Sequence, residues 1–315
     1  MTYIVSAGKA FNDIDAFGCA IAYSELLRKE GKEARTVFIG ALNHSVTPLA
    51  LEQSAEYLLS YTPTPDDRLI YVDLSDPEHF AFPGLPESQI FEIYDHHYGF
   101  EEHWRELLGD RSHIERVGAA ATLIWEEFKK RGQEKEISAT SANLLALAIL
   151  QNTLNFCSTE SNERDVRAFE ELTPHLSMQV DWQQRYFAEC AEAMRVTFGE
   201  TLRNDSKVLE RFFGEMSCVF AQLEVSEDPV QLLAQHKSEV DDYFAMFPNA
   251  RRLLNIPDMS SKTSLLYSDD TEWLHAEVET LFPEVLQTSD HWILIPILQR
   301  KQIFKLFREK MERSD

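Results

Sequence analysis

Cysteine is scarce: four residues, Cys19, Cys157, Cys190 and Cys218, lie far apart in a chain of 315 with no CxxC pair. That argues against a disulfide framework or a zinc ribbon and reads as buried thiols. Long apolar runs are also missing. The longest, Leu144 to Leu150, is seven residues, whereas a membrane span needs about 20. The N-terminus lacks the basic, apolar and small-residue succession of a secretory signal, so a cytoplasmic location is expected. Basic residues are few, 30 Lys and Arg against 53 Asp and Glu, for a formal net charge of −23. Such a balance repels polyanions, which makes a long nucleic acid or an anionic membrane an unexpected partner. No internal repeat or low-complexity tract occurs. What remains is 44% hydrophobic and 26% charged, a globular chain large enough for two cores.

The first third alternates β-branched runs with helical spacing, which predicts βαβ units around a mostly parallel sheet. Strands are expected at Tyr3–Ser6, Ala34–Ile39, Arg68–Leu74 and Gln89–Tyr94, with helices at Asp15–Lys29 and Leu49–Leu59. Further helical patterns cover Gly118–Lys130, Ser138–Thr153 and a long amphipathic segment around Asp181–Thr201. Beyond Asn204 the pattern restarts. Apolar Phe212–Leu223, an acidic helix near Val230–Phe247, and the runs Arg252–Ile256 and His291–Leu298 predict a smaller α/β domain.

In open α/β sheets ligands bind beyond the carboxyl ends of the strands. There the sequence places Asp13 and Asp15, then Asp73, then Asp95-His96-His97. One DxD after a strand is more often a turn or helix cap, and Asp15 alone could cap the helix that follows it. A lone histidine pair is usually a surface or packing feature. Three such clusters, each behind an apolar strand, point instead to a divalent cation. Carboxylates with imidazole suit Mn²⁺, Fe²⁺, Co²⁺ or Zn²⁺, with Mg²⁺ favoured as oxygen ligands dominate.

The ordered set Val72-Asp73-Leu74, Tyr94-Asp95-His96-His97 and Val117-Gly118-Ala119-Ala120-Ala121-Thr122 resembles the second and third motifs of the DHH phosphoesterase superfamily. The stretch from Ala148 to Phe156 resembles its fourth motif, normally an Asp-Thr pair ahead of an aromatic residue. Gln299-Arg300-Lys301-Gln302 resembles the basic signature of the manganese-dependent, family II inorganic pyrophosphatases, relatives of the prune-like exopolyphosphatases. The resemblance implies a DHH domain over residues 1–190, a linker over 191–205 and a DHH-associated substrate-binding domain over 206–315. It implies a metal-dependent phosphohydrolase that cleaves pyrophosphate, polyphosphate or a short phosphoester in the interdomain cleft, with a homodimer as a candidate assembly. By position, Asp13 would help hold one Mn²⁺ (or Mg²⁺ or Co²⁺), Asp15 and His96 a second, and Asp73 would bridge both. His97 would face the phosphate, Asp95 would orient the histidines, and Arg300 and Lys301 would clamp phosphoryl oxygens. The implied chemistry is in-line attack on a phosphoanhydride by metal-activated water.

Two positions depart from the pattern. The family's histidine four residues before the first aspartate is Lys9 here, and its fourth-motif aspartate is Asn152. A protonated lysine cannot ligate, and an amide is a weaker donor than a carboxylate. The departures allow a one-metal site in which Lys9 replaces a cation beside Asp13 or Asp73, a degenerate protein that binds a phosphorylated ligand without turnover, or an engineered ligand at Asn152. Lys207 reads as a helix-surface lysine and Asp258 and Ser264 as structural. His79, His103 and His113 have no ligand spacing.

Overall fold

The structure, a computed structural model, describes residues 1–213, 216–282, 285–287 and 291–314. The chain divides into two units, Met1–Glu189 and Cys190–Asp315. In the first, β1 (Tyr3–Ser6) leads through the two-residue β2 (Phe11–Asn12) into α1 (Ile14–Lys29), β3 (Ala34–Thr36), β4 (Ala41–Leu42), the short α2 (Pro48–Leu51), β5 (Arg68–Val72) and β6 (Ile90–Asp95). Then come α3 (Glu101–Leu108), β7 (Ser112–Ile114), α4 (Ala120–Lys130), α5 (Ala139–Asn152) and α6 (Glu163–Leu172). α7 (Trp182–Val196) crosses the division.

The sheet is five-stranded and parallel, in the order β3-β1-β5-β6-β7. Ile4, Val5, Ile70, Val72, Ile93 and Tyr94 are buried, as expected of parallel strands covered on both faces. α1 forms where the apolar spacing predicts it, and nearly all of Ile14–Leu27 is buried. Gly18 explains how: a Cβ there would stand 2.9 Å from the Leu144 carbonyl oxygen of α5, so the glycine lets two helices approach closely. Asp13 caps α1 by accepting from the amides of Asp15 and Ala16 at 2.9 Å each.

The helix expected over Leu49–Leu59 is confined to Pro48–Leu51. Ser54 takes a left-handed φ of 54°, and Leu58 instead exchanges backbone hydrogen bonds with Thr36 and Phe38. Extending the sheet edge satisfies those amides better than another helical turn would. β7 and α3 were not anticipated.

The second unit holds α8 (Phe198–Asn204), β8 (Ser206–Phe213), β9 (Met216–Gln222), α9 (Pro229–Ala245), β10 (Ala250–Asp258), β11 (Thr263–Tyr267), α10 (Thr271–Leu281), β12 (Val285–Gln287), β13 (His291–Leu294) and α11 (Arg300–Ser314). Its six-stranded mixed sheet runs β12-β13-β11-β10-β9-β8, with β9 and β10 parallel. Apolar side chains of α8 and α9 form one core cluster with this sheet, and those of α10 and α11 form another. The fold is therefore α/β, with a parallel sheet first and a mixed sheet second. The segment expected as a linker, 191–205, is helical, and its Met194, Phe198 and Leu202 are buried in the second unit's core.

Candidate metal centre

The carboxyl ends of β5 and β6 in the five-stranded sheet, together with the end of the short β2, deliver the acidic cluster. Asp73 follows β5 in the left-handed region, φ 56°, with its amide bonded to the Tyr94 carbonyl at 2.7 Å. Asp95 ends β6 and is fully buried. Its Oδ1 accepts from the amides of His96 (2.7 Å) and His97 (3.1 Å) and lies 2.8 Å from His97 Nδ1. It thereby fixes the backbone of both histidines and one ring, the supporting part a metal ligand's neighbour plays. His96 is buried, with Nδ1 3.1 Å from the Val117 carbonyl. A carbonyl can only accept, so Nδ1 carries the proton, and Nε2 faces Asp73 Oδ1 at 3.3 Å and Asp15 Oδ2 at 4.0 Å. His97 is exposed, its Nδ1 3.9 Å from Asp73 Oδ1. Ligand atoms of Asp73, His96 and His97 all lie within 4.8 Å of one another.

Asp15 is seated on the N-terminus of α4. Its two oxygens accept from the amides of Ala120 (2.7 Å) and Ala121 (2.8 Å), and Cys19 Sγ lies at 3.2 Å. The helix dipole adds to those bonds. Gly118, just before α4, is held by Asp165 Oδ2 at 2.9 Å, and a Cβ there would strike Thr153 at 2.7 Å.

The electrostatics describe a site short of positive charge. Burial, followed by the charge of Asp13, pushes the Asp15 carboxyl up to about 7 despite its donors. Burial, then Asp15, Asp13 and Asp95, push Asp73 well above the ordinary carboxyl range. Burial acts on Asp95 too, but the neighbouring His97, His96 and Ser75 outweigh it and hold that carboxyl low. Burial and the charges of Asp15 and Asp73 push the Cys19 thiol up. Among the described residues no lysine or arginine pairs with Asp15 or Asp73; their ion-pair partners are histidines. Buried carboxylates without a compensating cation are strongly disfavoured. The donor set, carboxylate oxygens with an oriented imidazole nitrogen, fits Mn²⁺ or a similar divalent ion.

Other expected residues lie elsewhere. Lys9 is exposed and, among the described residues, forms no ion pair; only its amide is engaged, with the His79 carbonyl at 2.9 Å. The expectation that its ammonium would sit against Asp13 or Asp73 is thus corrected: an exposed lysine keeps its hydration rather than entering the cluster. Asn152 is the half-buried last residue of α5, followed by three left-handed residues, Leu154 (φ 50°), Asn155 (52°) and Phe156 (60°). In the second unit the Arg300 guanidinium donates to the carbonyls of Asp205 and Phe220, the latter at 3.3 Å, and lies 3.7 Å from Asp205 Oδ1. The preceding loop is fixed by Ser264, which bonds the Leu298 carbonyl at 3.0 Å and amide at 2.7 Å, and by Asn255, which bonds the same carbonyl at 2.8 Å. Arg300 and Lys301 open α11, where the helix N-terminus adds positive potential. Lys207 lies on strand β8, not on a helix. Buried Asp258 caps its own turn through Ser260 at 2.7–2.8 Å.

Sequence reasoning missed His44. Its ring lies within range of the Asp13 charge, and burial pulls its pKa down to about 4 against that attraction. Nothing in its sequence spacing marks it, because it lies in the loop after β4.

The parallel sheet with Asp73 and Asp95-His96-His97 at its strand ends, Asp13-x-Asp15 after the short β2, the glycine-led helix that seats Asp15, and the second mixed sheet bear out the resemblance to the DHH superfamily. Curated relatives of the chain are named manganese-dependent inorganic pyrophosphatases. It is 26% identical over 319 residues to the manganese-dependent inorganic pyrophosphatase of Bacillus subtilis, covering 99% of each chain. A probable manganese-dependent inorganic pyrophosphatase of Exiguobacterium sp. is 30% identical over 175 residues, and that match spans 55% of each chain, little more than half the relative's length. A crystal structure from Methanococcus jannaschii, provisionally assigned as a family II inorganic pyrophosphatase, superposes with a TM-score of 0.64 at 17% identity, covering 98% of this chain and 99% of that one, which shows a shared fold. No protein-family model matches the chain.

Proposed function

We propose that the protein is a divalent-metal-dependent phosphohydrolase acting on a phosphoanhydride, pyrophosphate or a short polyphosphate. The observation that carries this reading is the convergence of Asp13, Asp15 and Asp73 with the oriented His96, a cluster that two of its own carboxyls mark as lacking positive charge. Asp13, Asp15, Asp73 and His96 would hold one or two Mn²⁺ ions, with Asn152 as a weaker neutral donor. A bound divalent cation lowers the pKa of water and offsets charge on the phosphoryl oxygens. Asp95 keeps the His96 backbone and the His97 ring in place through three contacts to one oxygen. His97, exposed beside Asp73, is positioned to donate a proton or hydrogen bond to a substrate oxygen. Arg300 and Lys301 are the proposed phosphate-binding cations, with Asp205 and Phe220 setting the direction of the Arg300 fork.

The test is metal analysis of the purified protein together with phosphate release from pyrophosphate and tripolyphosphate in Mn²⁺, Co²⁺ and Mg²⁺. Metal-dependent release is expected, and Asp73→Ala should lower it by roughly 10²–10³ or more, the scale for losing a preorganised charge at a reaction centre. A protein that holds no divalent ion and releases no phosphate would refute the reading. The exposed Lys9 and the amide of Asn152 favour one second reading, a binding protein of the same fold. Tight, metal-dependent pyrophosphate binding without turnover would establish it.

A further inference from the structure

Asp13 shares its surroundings with a segment that no motif describes. β2 pairs in parallel with β4, Phe11 opposite Ala41 and Asn12 opposite Leu42. Past that pair the two segments stay bonded: the Asn43 amide donates to the Asn12 carbonyl at 2.9 Å, and the Ile14 amide donates to Ser45 Oγ at 2.9 Å. Asn43 and Ser45 are in turn tied together, Asn43 Oδ1 accepting from the Ser45 amide at 2.8 Å and hydroxyl at 2.6 Å. The neighbours of His44 are therefore bonded to the neighbours of Asp13. Gly40 permits the approach, since a Cβ there would meet the Ala10 carbonyl carbon at 2.7 Å and oxygen at 2.8 Å. His44 is partly buried on this turn, between two residues that are bonded to the residues flanking Asp13.

We infer that His44 is a metal-binding residue, supplying an imidazole nitrogen on the Asp13 side of the cluster as His96 does on the Asp15 and Asp73 side. The inference rests on the proposed metal-dependent reading. Asp13 spends Oδ1 on the α1 cap, which leaves its other oxygen for the cluster. A divalent ion held there by Asp13 and Asp73 needs further donors, and Lys9, which precedes β2, is exposed. An imidazole on a pinned turn is a preorganised donor for Mn²⁺ or Co²⁺.

The experiment uses the full chain, stripped by chelation and titrated with Co²⁺, with stoichiometry and affinity read by calorimetry and visible absorption. Wild type should bind Co²⁺. His44→Ala and His44→Gln should lose one ion or weaken it by at least roughly 10–100-fold, a loss seen even when only a supporting residue of a ligand is removed. A gain-of-signal variant avoids confusion with misfolding: His44→Cys should place a thiolate on the ion and produce a near-ultraviolet sulfur-to-cobalt band absent from wild type. Wild-type stoichiometry and affinity in folded His44→Gln, with no new band in His44→Cys, would overturn the assignment while leaving the metal-dependent reading intact. Absence of Co²⁺ binding in wild type would overturn both.

Discussion

Asp73→Asn should stabilise the protein without metal and remove much of its stabilisation by metal. In the folded chain Asp15 is raised from 3.8 to about 7, and at about 1.36 kcal/mol per pKa unit its ionised form is disfavoured by about 4 kcal/mol. Burial is the largest cause for both Asp15 and Asp73, with neighbouring carboxylates next. Asparagine at 73 removes that residue's own buried charge and its repulsion of Asp15 and Asp13, but leaves the burial of Asp15. A gain of about 1–3 kcal/mol at pH 8 is expected on that scale. Asparagine also tolerates the left-handed φ of 56°. The sign with pH follows from the raised values: the folded state holds protons that the unfolded chain has released. For Asp15 the penalty is absent below about pH 4, grows toward pH 7 and is full above it; for Asp73 it grows in the same direction. In EDTA the variant should therefore melt roughly 3–10 °C above wild type at pH 8, with the gap closing toward pH 4–5. Mn²⁺ at a hundredfold excess over its Kd should add about 2.7 kcal/mol to wild type and far less to the variant, reversing the order. Thermal melts by circular dichroism at both pH values, with EDTA or Mn²⁺, decide the matter. A metal-free variant that melts below wild type at pH 8, or a gap indifferent to pH, would refute the charge argument.

Gly118→Ala should cost about 1–3 kcal/mol by overpacking, because Thr153 Cγ2 and Asp165 Oδ2 stand 2.7 and 3.0 Å from the new Cβ; urea unfolding measures it. Arg131→Met removes the cation that reaches the Tyr23 hydroxyl (2.6 Å), Glu127 (2.9 Å) and Glu30 (3.1 Å), and a destabilisation of about 1–3 kcal/mol by urea unfolding is expected, because buried Glu127 keeps only its Lys130 partner at 2.8 Å. Ser264→Ala, which frees the amide of Leu298 and leaves its carbonyl to Asn255 alone, should cost about 1–3 kcal/mol and weaken pyrophosphate binding at unchanged Mn²⁺ stoichiometry, read by calorimetry.

Strand ends were legible because parallel strands need apolar residues on both faces, so the polar residue after each run stands out. Asp13, Asp15, Asp73 and Asp95-His96-His97 were found in that way. β7 was not, since Ser112-His113-Ile114 is too short and mixed to show a period, and His113 hides its pattern by stacking on Tyr94. The expected Leu49–Leu59 helix failed because apolar spacing alone does not report that Leu58 pairs with the sheet edge. The Asp15 seat on α4 joins residues 105 and 106 positions apart, a relation that only topology creates. The basic motif at Arg300 and Lys301 was visible, but the polar brace of Ser264 and Asn255 behind Leu298 was not, because buried hydrogen-bonding partners leave no periodic trace.

The three left-handed residues after α5 bear on motion. Each non-glycine residue in that region costs about 1–2 kcal/mol, so Leu154, Asn155 and Phe156 together form a segment that local preferences oppose. Glycine would relieve the backbone but forfeit buried Leu154 and the edge contact of Phe156 with Phe169. Short-range bonds hold the segment: the Asn155 amide on the Leu150 carbonyl at 2.7 Å, the Phe156 amide on the Thr153 hydroxyl at 3.0 Å, and Ser161 Oγ on the Thr153 carbonyl at 3.2 Å. Such a segment should open under native conditions below the free energy of global unfolding. Hydrogen exchange should show the amides of Asn155 and Phe156 opening well before those of Leu144–Leu150 in the same stretch of chain. The carboxyl end of α5, where Asn152 sits, adjoins this left-handed run, so a ligand that engaged that end would act on backbone already held against its local preference.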